Sequence, residues 1–224
     1  MDLNVGDGRV PEGVYGRLTV TGNAGLDDGV VFDSLDVAEG TLDAPRIEGG
    51  RLTLDGGTVR CHGDMVVGRV RGHGRLVVDG GIDCDGMDLV GSVECLGVIR
   101  CAGAMRVNGR LTDASSITAQ SAEINGVLRG RTLDSRVFEL RPLPSRLLFR
   151  LGAGDYAATS MLTRLAARRI DAEGLVCGHL AARIISLREG CRVKRIDCSE
   201  SLGMDRSSSA TVICGAGRRV RLRA

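Results

Sequence analysis

Leu76-Val77-Val78-Asp79-Gly80-Gly81-Ile82-Asp83-Cys84-Asp85-Gly86-Met87-Asp88-Leu89-Val90-Gly91-Ser92-Val93-Glu94-Cys95 is the stretch that decides the fold. Three short alternations follow one another in it: Leu76/Val78, Ile82/Cys84 and Met87/Leu89. Each places two apolar side chains on one side of the backbone and one residue on the other, as a strand with a single buried face requires. Val93/Cys95 then starts the series again. Three short strands, joined by tight turns, therefore make one coil.

The register extends outward from this coil over residues 14 to 135. One column runs Leu18, Leu35, Leu52, Val70, Met87, Met105, Ala122, in steps of 17, 17, 18, 17, 18 and 17. A second runs Leu42, Val59, Leu76, Val93, Leu111, Leu128, and a third Ile47, Met65, Ile82, Ile99, Ile117. Three columns imply three faces. Gly74, Gly80, Gly86, Gly91, Gly97, Gly103 and Gly109 recur where the coil must change direction, and glycine tolerates positive φ there. Leucine-rich and helical repeats fit badly, because the block has no sustained spacing of 3 and 4.

Composition agrees with a narrow stacked prism. The chain of 224 residues is 43% hydrophobic, yet it has 2% aromatics, no Trp and 33 glycines. An interior a few side chains wide accepts Val, Ile, Leu, Cys and Ala and excludes a Trp. Thirty basic residues against 28 acidic ones leave +2, which supplies no overall field for nucleic acid. The N-terminal segment Met1 to Val10 carries no basic region followed by an apolar run, and no stretch reaches the roughly 18 apolar residues of a membrane span. A cytoplasmic location is expected, with contact to a membrane surface left open.

The residues that carry chemistry read as structural. Cys61, Cys84, Cys95 and Cys101 take the inward second position of their strands, where a free Cys acts as a small hydrophobe. The absence of a Cys-x-x-Cys pair leaves zinc without its usual spacing. His62, His73 and His179 fall beside inward positions or in turns and are expected to be exposed. Asp79, Asp83, Asp85 and Asp88 form an acidic cluster, but Asp83 and Asp85 flank inward Cys84 and lack the nonapeptide spacing of calcium-binding rolls. A Gly-x-Ser-x-Gly elbow and a phosphate-binding loop are both missing, and Lys194 is the only lysine. No cofactor, metal or catalytic residue is expected.

The pattern breaks after about Val137. Residues 141 to 169, with Pro142, Pro144, Leu147, Leu148, Phe149, Leu151, Met161, Leu162 and Leu165, read as a helical insertion or linker, its second helix capped by Asp155. Alternation returns with Ile170/Ala172, Leu175/Cys177, Ile185/Leu187, Cys191/Val193, Ile196/Cys198 and Val212/Cys214, a shorter solenoid of about three coils. The expected organisation is an N-terminal tail over 1 to 13, a main β-helix over 14 to 140, the insertion, a second β-helical block over 170 to 217, and a basic tail over 218 to 224. Whether the two blocks stack directly is open at this stage.

Phrases such as Val70-Arg71-Gly72-His73-Gly74-Arg75 and Val107-Asn108-Gly109-Arg110-Leu111 resemble the bactofilins, polymer-forming cytoskeletal proteins of bacteria. The run from Leu187 to Leu202 resembles the C-terminal segment of the longer, Firmicutes-type members. That resemblance implies an all-β, right-handed parallel β-helix that assembles end to end without nucleotide. It further implies a scaffold for cell-shape, envelope and morphogenesis proteins, with no catalytic residues.

The end coils of an open stack expose backbone groups that template pairing with another copy. The candidates for such contacts are Val14, Leu18 and Val20 at one end and Val212 and Cys214 at the other. Phe149, Leu151, Arg218, Arg219, Arg221 and Arg223 are candidates for a partner protein or a membrane surface. Two other readings compete: a monomeric or dimeric β-helical binding module, such as a regulator of cell division, and an enzyme built on a β-solenoid.

Overall fold

The computed structural model describes residues 1–143, 159–215 and 217–222. Among them there is no helix, and the chain is a parallel β-solenoid of about 12 turns. The strands are β1 (Leu3–Val5), β2 (Gly8–Val10), β3 (Gly13–Val20), β4 (Asn23–Leu26), β5 (Val30–Val37), β6 (Thr41–Ala44), β7 (Ile47–Cys61) and β8 (Met65–Val78). They continue with β9 (Ile82–Cys95), β10 (Val98–Arg141), β11 (Ser160–Glu173), β12 (Leu175–Arg188), β13 (Arg192–Met204), β14 (Ser209–Cys214) and β15 (Arg218–Arg221). The later strands are long because the ladder continues around corners, so that β10 passes through more than two coils without a break.

The expected columns are the internal ladders. Leu76 pairs with Val93 and Val93 with Leu111, Ile82 pairs with Met65 and Ile99, and Met87 pairs with Val70 and Met105, all in parallel. All nine side chains are buried. Each buried Leu, Ile or Val contributes about 1.5–3 kcal/mol from removal of apolar surface, so stability is distributed evenly along the axis. The uneven step from coil to coil is absorbed at corners, where the register shifts between Asp55 and Thr58 and between Cys101 and Met105.

Three boundaries and one register differ from the sequence reading. Residues 1 to 13 are not a tail, because β1 pairs with Leu18–Val20 and β2 with Ala24–Leu26, completing one more coil. The partners Leu3↔Leu18 and Val10↔Leu26 are closer in sequence than Leu18↔Leu35, so a search at the regular step passes over them. Ser160 to Arg169 is strand rather than helix. The spacing of Leu162 and Leu165 imitates a helix but spans a corner between two faces, and both side chains are inward while Met161 is exposed. Pro144, Leu147, Leu148, Phe149, Leu151 and Asp155 lie outside the described residues.

The two blocks form one stack. β10 pairs with β11 from Arg129↔Met161 through Leu140↔Ala172. Residues 218 to 221 are likewise not a frayed tail but a strand laid on Ser201–Met204. In the last coil, Ile196 pairs with Ile213 and Asp197 with Cys214, so the register expected from Val212/Cys214 is slipped by a single position. Such a slip turns every side chain to the other face. Val212 accordingly points outward, 46% exposed, while Ala210 and Ile213 pack on the core.

Among the described residues, no helix is long and apolar enough to cross a membrane.

Candidate functional site

A stack of parallel coils has two special places, its first and last rungs. At the N-terminal end, among the described residues, β1 pairs only with β3 and β2 only with β4, while Gly13–Tyr15 pairs only with Val30–Phe32. Each of these three segments leaves one backbone edge open, facing away from the stack. At the C-terminal end, among the described residues, β14 and β15 both pair with β13 alone, so that no described strand lies on their outer edges.

The side chains at these edges differ between the ends. Leu3 and Val5 extend the column of Leu18 and Val20 and are partly buried against it, and Val10 is fully buried. Apolar filling therefore runs to the first rung. At the opposite end Arg219 occupies the register position above Leu202 and is exposed. Of the seven large hydrophobic residues that stand exposed among the described residues, four lie in the end rungs: Met1 and Val14 at the start, Val212 and Val220 at the finish.

The sequence-derived contact residues divide accordingly. Val14 is 78% exposed on the terminal rung. Leu18 and Val20 are fully buried beneath Leu3 and Val5, so they do not lie on the first rung, which β1 and β2 form. Val212 is exposed and Cys214 half-buried on the last rung. Arg218 and Arg219 are exposed on β15, Arg221 takes part in its pairing, and Arg223, Phe149 and Leu151 lie outside the described residues. Leu3, Val5 and Val220 of the end rungs are not among the candidates read from the sequence, although the alternation Leu3/Val5 is a usable signal.

The lateral faces carry cross-rung ion pairs rather than a converging set of groups. Arg100 meets Asp83 at 3.3 Å, Arg106 meets Glu123 at 2.9 Å and Asp88 at 3.7 Å, and Arg75 meets Glu94 at 3.0 Å. His62 bridges Asp43 and Asp79 at 3.1 and 3.2 Å, and hydrogen bonds to these carboxylates raise its pKa. His62 and His73 are exposed as expected, whereas His179 is half-buried, 2.6 Å from Asp197. Among the described residues no group of three or more His, Cys, Asp or Glu side chains is arranged to hold a metal.

The cysteines fill the interior. Seven are buried, all eight are free thiols, and Cys84 stacks on Cys101 one rung above. Burial pushes the thiols of Cys95 and Cys177 up to about 11. At neutral pH they are protonated, unreactive packing groups.

One corner holds a polar cluster. Arg141 donates to Asp171 at 2.8 Å and approaches Glu173 at 3.6 Å, and Arg188 reaches the same two carboxylates at 3.6 and 3.4 Å. This half-buried network ties the end of β10 to the two coils that follow it. One rung on, hydrogen bonds from Ser208 and from the Glu189 amide and Ser207 hydroxyl hold the Asp205 carboxyl down at about 2.

Comparison with family models, with curated proteins and with solved structures yields no significant match.

Proposed function

We propose that this protein is a structural, bactofilin-like scaffold element that assembles end to end without nucleotide. The observation that carries the reading is the pair of ends: strand edges on the first and last rungs that no described strand pairs, each accompanied by exposed apolar side chains. Natural sheets shield such edges unless another chain is to use them. The sequence resemblance to bactofilins supports the same reading, as does a lateral surface on which charges are paired off between rungs.

Assembly here needs no hydrolysis cycle, because the driving force is burial of the end rungs and completion of their backbone hydrogen bonds. Cell-shape or envelope proteins are then clients of the sides of the polymer. Purified protein without nucleotide is expected to sediment and to show filaments or sheets by negative-stain microscopy. A single small species at high protein concentration would instead favour a discrete binding module.

A further inference from the structure

Seven of the eight cysteines are buried, and one pair among them stands apart. Cys101 lies directly on Cys84 across adjacent rungs, and among the described strand registers no other two cysteines are partners. Cys61 and Cys95 are held two rungs apart by Val78, and Cys177 faces Val193. Cys84 is also the most exposed of the seven, at 7%, with Cys101 at 3%. Both residues line an open groove on the side of the solenoid, together with Val67, Gly68, Ala102 and Thr118. A small solute in that groove reaches the sulfurs, whereas a bulky one does not.

The spacing suits a covalent bond between them. Rungs lie about 4.8 Å apart, inside the roughly 4.4–6.8 Å between Cα atoms that disulfides span. The Cβ atoms of a disulfide sit closer than the rungs do, so the two strands must approach slightly to form one. The next corner supplies that play. Between Cys101 and Met105 β10 uses three residues where β9 uses two between Cys84 and Met87, a bulge that interrupts the ladder. Gly86, in this corner, has no atom nearer than 3.7 Å to a Cβ.

The two thiols also hold their protons unequally. The hydrogen bond with Cys84 holds the Cys101 thiol down at about 7, against burial and with further hydrogen bonds from the backbone at Gly103 and Met87. The same hydrogen bond, with burial, pushes the Cys84 thiol up. Near neutral pH Cys101 is therefore in part thiolate, the nucleophilic form, and Cys84 keeps its proton beside it.

We propose that Cys84 and Cys101 form a dithiol site that reacts with hydrogen peroxide, Cys101 as the attacking sulfur and Cys84 as the resolving one. The Cys101 thiolate attacks one peroxide oxygen and the O–O bond breaks. Hydroxide leaves, takes up the proton that Cys101 had released and becomes water, and Cys101 is left as a sulfenic acid. The Cys84 sulfur then attacks the Cys101 sulfur, the S–O bond breaks, and the hydroxyl departs as water with the Cys84 proton. In sum, two thiols and one peroxide become one disulfide and two waters. The bond staples β9 to β10, and thiol reductants reverse it.

The test uses the full-length protein and does not depend on whether it assembles. Folded protein treated with hydrogen peroxide at neutral pH is expected to lose two of its eight free thiols, counted by alkylation after denaturation. Trypsin cuts after Arg75, Arg100 and Arg106, so the bond is read by mass spectrometry as a peptide joining residues 76–100 to 101–106, absent after dithiothreitol. Cys95 shares the first of these peptides, so two variants assign the sulfurs. Cys84→Ala is expected to abolish the joined peptide and to leave Cys101 as a sulfenic acid, trapped by dimedone on unfolding. Cys101→Ala is expected to leave Cys84 reduced.

The proposal is overturned if folded wild type yields no joined peptide, if that peptide persists in Cys84→Ala, or if Cys84 is oxidised in Cys101→Ala. Circular dichroism checks the fold of each variant. The first of these results needs no variant, so a substitution that prevents folding does not shelter the proposal.

Discussion

The corner that follows the column of Leu54, Gly72, Leu89 and Val107 is built in two ways in the two halves of the molecule. In the first half it is made by missing atoms. Gly74, Gly91, Gly109 and Gly126 stack there at φ 152°, 133°, 147° and 137°, and a Cβ on Gly109 meets the Gly91 carbonyl oxygen at 1.9 Å. In the second half the same corner is made by added atoms: the Arg141–Asp171–Glu173–Arg188 network and the hydrogen bonds around Asp205. Gly174, at φ 64°, has no atom nearer than 3.9 Å to a Cβ. A chain can turn tightly by letting backbones touch, or widely by holding a looser turn with side chains. The change from one solution to the other falls in sequence at the junction of β10 and β11, where the glycine ladder ends.

This difference can be broken experimentally. Gly109→Ala drives a methyl into backbone on the neighbouring rung, and we expect a loss of about 3–4 kcal/mol, measured by thermal or denaturant unfolding. Gly174→Ala meets open space and bears only the left-handed backbone cost of about 1–2 kcal/mol. Equal losses at the two sites would mean that the corners are alike.

Protonation probes the polar corner with the smallest expected effect. Asp205 has a depressed folded-state pKa, so its stabilisation is present above the unfolded value near 3.9 and disappears as pH falls towards about 2. The melting-temperature difference between wild type and Asp205→Asn is therefore expected to shrink between about pH 4 and pH 2. A difference that stays constant over that interval removes the charged carboxylate from the account.

Much of the fold was legible because an inward ladder repeats the same demand every coil. Leu76, Val93 and Leu111 announce themselves by type and spacing together, and the structure pairs them directly. Legibility failed where either signal weakened. In the last coil the inward residues are Ala210 and Ile213, and the neighbouring Val212 and Cys214 offered a more apolar but slipped alternative. In the first coil the step from Leu3 to Leu18 is shorter than the regular one, and at Leu162/Leu165 a corner mimics helical spacing. The end rungs are only partly visible in the sequence for the same reason: Leu18 reads as terminal because the step back to Leu3 is short.

The central claim is that the parallel ladder of one molecule is continued by the next. The most direct measurement is the axial repeat of assembled filaments by electron cryomicroscopy or fibre diffraction. With about 12 turns at ~4.8 Å each, the account predicts a ~4.8 Å spacing along the filament axis and one subunit every ~58 Å. Strand spacing directed across the axis contradicts it.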